Sequence, residues 1–265
     1  MIVRIAVAST PLTATLDEAV PATSAAIEEA GRLGARIVCL PESVVPGHRV
    51  QARPVAAVSQ VALDRALGQV AEAARRAGVI AIVGTERIGP SGREIVSVVI
   101  DSDGTTLGVQ AKTQIDPTEE GDYVVGSGRQ VFTAADVTFG IAICHEAFRY
   151  PEICRSLALA GAQVIFVPHF VTTDDGSLPA AWCDPANSYN EKAVLLRAME
   201  NSVFVAASNV AGPDQGSISG IIAPVGTLVA SLPYGAVGVV AADIDLELAD
   251  RRLALRWAPE RNEVR

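Results

Sequence analysis

The sequence has no uninterrupted apolar stretch near the ~18 residues that crossing a bilayer requires, so no membrane-spanning helix is expected. It also has no run of Lys or Arg. Its 21 basic residues are outnumbered by 30 acidic ones, for a net charge of −9, a poor surface for nucleic acid or any other polyanion. Cysteine is sparse: Cys39, Cys144, Cys154 and Cys183 form no Cys-x-x-Cys pair and have no histidine spaced for zinc. A disulfide scaffold is excluded by that low density in a chain long enough to build its own core. Gly126-x-Gly128 lacks the third glycine and the strand–turn–helix setting of a dinucleotide site. The opening Ile2–Ala8 segment is too short and wrongly flanked for a signal peptide, so a cytoplasmic protein with free thiols is expected. What remains is 49% apolar and 19% charged, with glycine and proline scattered, which excludes a disordered chain.

The hydrophobic period switches repeatedly between two and about 3.6, the pattern of alternating strands and helices. Strands are expected at 2–8, 36–40, 79–84, 137–144, 163–167, 202–208 and 237–243. Helices are expected at 16–33, 58–77, 151–160, 186–201 and 245–256. Gly34 and Gly78 are placed to close the first two helices, Pro151 to open the third and Asp184-Pro185 to introduce the fourth. Residues 94–101 and 105–112 read as a hairpin around Ser102-Asp103-Gly104. Residues 217–223 and 227–231 read as another hairpin, and 113–130 as a long loop. There is no internal repeat and no linker, so one α/β domain is expected over residues 1–265.

Ligands of α/β proteins sit beyond the carboxyl ends of strands. Three ionisable residues fall there. Glu42 follows the strand 36–40, Lys112 closes the second arm of the central hairpin, and Cys144 ends the apolar run Phe139–Cys144. Singly, each has an ordinary explanation: a cap, an edge charge, a small core residue. Together they offer a base, a cation and a nucleophile to one sheet edge.

The order of these residues, and the words around them, resemble the nitrilase (carbon–nitrogen hydrolase) superfamily over nearly the whole chain. Leu40-Pro41-Glu42 with Pro46-Gly47 is similar to its glutamate motif, and Cys144 with Arg149, Pro151 and Glu152 to its nucleophile motif. Gly161-Ala162 and Pro168 flank the next matching strand. Arg197-Ala198-Met199-Glu200-Asn201 with Ala207-Ser208-Asn209, and Ser219 with Pro224-x-Gly226, resemble its closing blocks. The resemblance implies a four-layer αββα sandwich and a Glu42–Lys112–Cys144 triad that works through a thioester, with no metal and no organic cofactor. It also implies a second glutamate between lysine and cysteine. Glu119 fits best, with Tyr123 four residues on and Gly126 beyond; Glu120 is the alternative. Glu152, Arg149 and Glu200 are expected as buried structural partners.

Residues expected against a substrate are His145 and Glu146, directly after the nucleophile, and His169 and Phe170 after the strand 163–167. Residues 171–187, with Thr172, Asp174 and Trp182, are expected to form part of the substrate wall. Glu146 stands where nitrile-hydrolysing members carry Glu, but the Arg149-x-Pro151-Glu152 continuation resembles the amidase and carbamoylase branches and favours a small amide. Rival readings are a Cys–His hydrolase using His48, His145 or His169, nitrile hydrolysis, and a catalytically silent binding module. If the strand continued through Cys144, His145 would point away from the thiol. The resemblance further implies a homodimer or higher even assembly, with the Ala-rich helix 186–201 as a contact surface.

Overall fold

Alternate residues of the first strand belong to different cores, and that division organises the molecule. In β1 (Ile2–Ser9), Ile5 and Val7 face one apolar cluster while Ala6 and Ala8 face another. The same split recurs in β2 (Ile37–Cys39) and β3 (Ile80–Gly89), with Ile37, Cys39, Ile80 and Ile82 on one side and Val38, Ala81 and Val83 on the other. A sheet buried on both faces needs a layer on each. The outer layer is α1 (Leu16–Arg32) and α2 (Gln60–Ala77), which bring Ile27, Ala66 and Val70 to the second cluster. Their starts are capped by Thr15 and Ser59, whose hydroxyls accept from Glu18 N and Ala62 N. Gly78, at φ 65°, closes α2 in the left-handed conformation that glycine adopts without penalty.

The structure, a computed structural model, describes residues 1–49, 54–186 and 189–261. With β4 (Gly92–Ile100), β5 (Thr106–Ala111) and β12 (Gly238–Asp245), the first sheet has six strands in the order β12-β1-β2-β3-β4-β5. A second six-stranded sheet comprises β6 (Val131–Ala134), β7 (Val137–Ile141), β8 (Val164–Pro168), β9 (Phe204–Ser208), β10 (Gly220–Ile222) and β11 (Leu228–Ser231), ordered β11-β10-β9-β8-β7-β6. The inner faces meet where Phe139, Ile141 and Phe166 join Ile5, Ile37 and Ile82 in one cluster. After a short α3 (His145–Arg149), the helices α4 (Pro151–Leu159) and α5 (Tyr189–Asn201) add Leu157, Ala158, Ala193 and Val194 to that cluster. The layers are therefore helix, sheet, sheet, helix. Ser208 Oγ donates to Ala8 O at 2.6 Å and Ala211 N to Thr10 O at 2.7 Å, so the carboxyl ends of β1 and β9 lie together. Among the described residues no helix is long and apolar enough to cross a membrane, and all four cysteines are free.

Four elements differ from the sequence expectation. The strand expected at 79–84 runs on to Gly89 and pairs with β4 in a long hairpin. Polar Glu86 hides that extension; it is buried against Arg49 and Arg93. β6 was not expected, because it joins β7 through Ala135-Asp136, both at positive φ with no glycine to mark the turn. β7 stops at Ile141, three residues short. The helix expected at 245–256 is a 3-10 turn over Leu246–Leu248 and a separate α6 (Arg252–Leu255). Asp245 and Asp250 accept from Glu247 N and Arg252 N, so their side chains restart the backbone instead of continuing it. The start of the helix expected at 186–201 falls partly on residues 187–188, outside the described residues.

Gly84 lets the chain after β2 lie against β3: a Cβ there would meet Pro41 O at 2.1 Å and Ser43 N at 2.5 Å. Gly84→Ala is therefore expected to cost about 1–3 kcal/mol through overpacking. Gly68→Ala, on the exposed face of α2 with nothing within 4 Å of the new methyl, should be neutral or stabilising by up to ~1 kcal/mol. Thermal unfolding of the two variants checks this, and a Gly84→Ala protein melting at or above wild type would contradict the close approach.

Candidate active site

Glu42 emerges where β2 ends and the chain turns across Gly84, with Ser43 held at φ 48°. Its side chain is 1% exposed. A buried carboxylate needs a partner, and Oε1 accepts from Lys112 Nζ at 2.7 Å. Lys112 follows β5, its backbone N bonded to Ile95 O and its carbonyl accepting from Gly126 N. It is 0% exposed and heads the fully buried side chains by volume. Its ammonium also donates to Glu119 Oε1 and Oε2 at 2.7 and 2.8 Å.

Glu119 reaches the ammonium because the loop 113–130 contains a 3-10 turn, Pro117–Glu119, closed by a reciprocal cap. Asp116 accepts from Thr118 N, and Glu119 Oε2 accepts from Asp116 N. Glu120, the alternative, is exposed. Burial disfavours the charged forms of all these groups. For Lys112 that loss is outweighed by the Glu42 carboxylate, then by Cys144 and Glu119, and its pKa rises. For Glu119 the hydrogen bond from His48 and the charge of Lys112 outweigh burial and hold the carboxyl at about 2.

Cys144 sits on an elbow, not on a strand. Its φ of 50° and ψ of −114° turn the chain from β7 into α3, a backbone conformation that costs ~1–3 kcal/mol unless its surroundings enforce it. They do: Cys144 N donates to Pro168 O at 2.9 Å, and the Glu146 carboxylate accepts from Ile143 N at 2.8 Å and Thr113 N at 2.9 Å while pairing with Arg129. Glu146 thus ties the elbow to the residue after Lys112. The thiol lies 3.8 Å from Phe170 O. Burial and then the Glu42 charge push its pKa well above the usual range, with Lys112 opposing.

The expected substrate contacts divide. A cleft of about 610 Å³ is lined by Cys144, Glu119, His145 and Phe170, with Thr172 and Asp174 from the expected wall, a size suited to a small molecule. Glu146 and His169 are 0% exposed and lie outside that lining. His169 Nδ1 donates to Val167 O and the ring packs edge-on to Phe148, and burial lowers its pKa to about 4. Trp182 packs against the core; residue 187 is outside the described residues. Of the expected structural partners, Glu200 is half-buried and pairs with Arg197. Arg149 and Glu152 are exposed instead, where α3 passes to α4; Arg149 lines the Cys144 cleft and lies over the Tyr189 ring at 4.3 Å.

His48 is the residue whose place the sequence reading missed. Its Nε2 is 3.0 Å from Glu119 Oε1 and 3.7 Å from Glu42 Oε2, and its ring stacks on Phe170 at 4.7 Å. The signal available was position, six residues after Glu42 beyond Pro46-Gly47. His145 pairs with Asp116 at 2.8 Å. No histidine is bonded to the thiol among the described residues, so the Cys–His arrangement is not formed. Glu42, His48 and Glu119 present atoms within 4.8 Å of one another, a spacing that could suit a metal ion. The Lys112 ammonium, 2.7 Å from both carboxylates, already supplies the cation there.

Known proteins share this framework. The chain is 28% identical over 198 residues to a nitrilase of Pyrococcus abyssi, covering 72% of this chain and 68% of that one. It is 29% identical over 167 residues to an N-carbamoylputrescine amidase of Arabidopsis thaliana, covering 57% of this chain and about half, 54%, of the plant protein. A nitrilase-superfamily amidase from Nesterenkonia AN1 superposes with a TM-score of 0.80 at 22% identity, over 97% of this chain and 95% of that one, which establishes the four-layer fold. The carbon–nitrogen hydrolase family pattern matches residues 4–252, a span that includes Glu42, Lys112, Glu119 and Cys144 and all but the first two residues of the two sheets, and the chain belongs to that family.

Proposed function

We propose that the protein hydrolyses a small, non-peptide amide or carbamoyl compound through a Cys144 thioester, with Glu42 as proton carrier and Lys112 as electrostatic partner. The observation that carries this reading is one buried ammonium held between two carboxylates beside a buried thiol. With its pKa raised, Cys144 is a thiol at neutral pH and needs a base. Glu42 Oε1 is taken by Lys112, while Oε2 has no hydrogen-bond partner among the described residues, with His48 Nε2 3.7 Å away, and is the oxygen assigned to receive the proton.

As sulfur bonds to the carbonyl carbon, negative charge develops on the carbonyl oxygen. We assign Lys112 and the His145 N–H, which begins α3 outside the helix's own hydrogen-bond ladder, as the donors that meet it. The proton on Glu42 passes to the leaving nitrogen and ammonia or an amine departs. Water then attacks the thioester, giving its proton to Glu42, and the C–S bond breaks to return the thiol. Glu119 and His48 hold Lys112 and Glu42 in register. The carbamoyl- and amide-specific names among the relatives support an amide over a nitrile.

Cys144→Ala and Lys112→Ala are expected to abolish turnover, and Glu42→Gln to lower it by about 10²–10⁴-fold. Cys39→Ala and Cys154→Ala, whose sulfurs are core filler, should leave the rate within a few-fold. Ammonia release across a panel of small amides, with intact mass spectrometry for a Cys144 adduct, checks this; near-normal turnover by Cys144→Ala would end the covalent reading. Thiol ionisation gives a test of opposite sign. The Glu42 carboxylate raises the Cys144 pKa, so Glu42→Gln should lower it and increase the thiolate fraction at a given pH. Iodoacetamide should then label Cys144 faster in the inactive Glu42→Gln protein, with the midpoint of rate against pH moved down; an upward move contradicts the charge assignment.

The assembly expectation extends the same reading. Leu196 and Met199 on α5, with Leu253, Leu255 and Trp257 near α6, are large exposed apolar side chains, a face suited to a second copy of the chain. Sedimentation should show a dimer or larger even assembly, and Leu196→Glu with Trp257→Glu should shift it toward monomer. A wild-type monomer at micromolar concentration would overturn this.

A further inference from the structure

Asn209, directly after β9, is 0% exposed and gives its whole amide to main chain. Oδ1 accepts from Val171 N and from Val210 N, each at 3.0 Å. Nδ2 donates to Val171 O at 2.9 Å and to Ser217 O at 2.8 Å. Both amide hydrogens and both acceptor positions are thereby in use, and one side chain holds both hydrogen-bonding groups of Val171. Asn209 is itself anchored: its N donates to Ser219 Oγ at 2.8 Å, and the preceding Ser208 Oγ donates to Ala8 O of β1. After Val171 the chain pairs with the segment before Ser217. Gly216 N donates to Val171 O at 2.9 Å, Thr173 N donates to Asp214 O at 2.8 Å, and Thr172 is bridged to Gln215. Before Phe170, His169 N donates to Ser208 O at 2.8 Å. Phe170 thus stands between two tethered neighbours. Its carbonyl lies 3.8 Å from the Cys144 thiol and its ring stacks on His48. Phe170, Val171, Thr172 and Asp174 all line the Cys144 cleft, whereas Asn209 lies outside that lining.

We propose that Asn209 is a positioning residue for the cleft: its amide fixes residues 170–174 as the wall along which the acyl chain of the substrate lies, and so governs which acyl chains react at Cys144. The inference rests on the thioester route. On that route the leaving nitrogen takes its proton from Glu42, which is buried and outside the cleft lining. The acyl chain is therefore the part that extends along the open walls. The carbon bonded to sulfur starts beside Phe170 O, at the head of the 170–174 segment. Neither group of Val171 can swing away without leaving the buried amide of Asn209 unpaired, which costs the desolvation of that group. A wall held in this way keeps its distance from the sulfur, and a fixed wall is what discrimination between acyl chains of different length requires.

The probes are p-nitrophenyl acetate and p-nitrophenyl hexanoate. The burst of p-nitrophenol, with intact mass for the adduct, gives the second-order rate of Cys144 acylation by each. The readout is the ratio of the two rates, from which any loss of folded protein cancels. Asn209→Ala removes the whole amide. Asn209→Ser leaves room for a water that bonds the same main-chain groups without fixing them, so it folds even where Asn209→Ala does not. Gly216→Ala displaces the same segment with Asn209 intact, because its Cβ would meet Thr172 C at 2.9 Å and Val171 Cγ1 at 3.1 Å. Gly31→Ala is the control for destabilisation alone: its Cβ would meet Ala77 O at 2.9 Å, where α1 packs on α2. The expected result is a hexanoate-to-acetate ratio changed about fivefold or more in the Asn209 and Gly216 variants, and within about twofold of wild type in Gly31→Ala. An unchanged ratio in the folded Asn209 variants, or an equal change in Gly31→Ala, would overturn the positioning role. Absence of a burst and of a Cys144 adduct in wild type with both esters would instead overturn the thioester route itself, and this inference with it.

Discussion

The ammonium of Lys112 is the interaction on which the rest of the site depends. A fully buried lysine is tolerated only when opposite charge surrounds it, and two carboxylates do so within 2.8 Å. They come from distant parts of the chain, Glu42 after β2 and Glu119 from a turn inside the loop 113–130. Neither segment could move away without stranding a charge in the interior. The ion cluster therefore clamps the loop to the first sheet and fixes the floor of the cleft. The capped 3-10 turn exists to aim one side chain, and Gly84 exists to let another approach.

Cys144 is held by different means. It follows the end of β7 in the second sheet, and its turn is imposed by a backbone bond to Pro168 O and by Glu146, whose carboxylate spans from Ile143 N to Thr113 N. Thr113 immediately follows Lys112. One carboxylate thus couples the elbow of one sheet to the strand end of the other, so the backbones that carry the sulfur and the ammonium are held in a fixed relation. That is the rigidity preorganised electrostatics requires. Arg129, paired with the same carboxylate, offsets the cost of burying it.

Much of this was legible in the sequence, and the failures share a cause. Glu42, Lys112 and Cys144 could be found because each ends an apolar run, which local pattern reports. Glu119 was found through its resemblance to a family motif. Glu146 was assigned to the substrate because it neighbours the nucleophile, but adjacency in sequence does not predict direction where a strand gives way to an elbow. Expecting the strand to reach residue 144 concealed the elbow, since Ala142, Ile143 and Cys144 are apolar enough to continue it. His169 follows a strand as a pocket residue would, yet it turns into the core. His48 sits in a turn with no periodicity around it, and only the tertiary meeting of three loops gives it meaning. Local pattern registers burial and period; it does not register which polar side chains from separate loops will share one cavity.

The charge balance of the cluster constrains how the chemistry proposed for it can proceed. Lys112 contributes one positive charge, Glu119 one negative, and the remaining negative charge is divided between Glu42 and Cys144. Passing the proton from sulfur to Glu42 moves that charge without changing the total, and the ammonium faces both possible holders. In a buried site, a step that conserves net charge avoids the large desolvation cost that creating a new ion would carry. The high pKa of the resting thiol is consistent with this economy. On the proposed thioester route the sulfur remains protonated until a carbonyl carbon is present to accept its electrons, and only then does the proton's transfer to Glu42 leave the charge beside Lys112. Glu119, kept ionised by His48 and Lys112, holds the cation in place throughout, which is why a second carboxylate that exchanges no proton still belongs to the site.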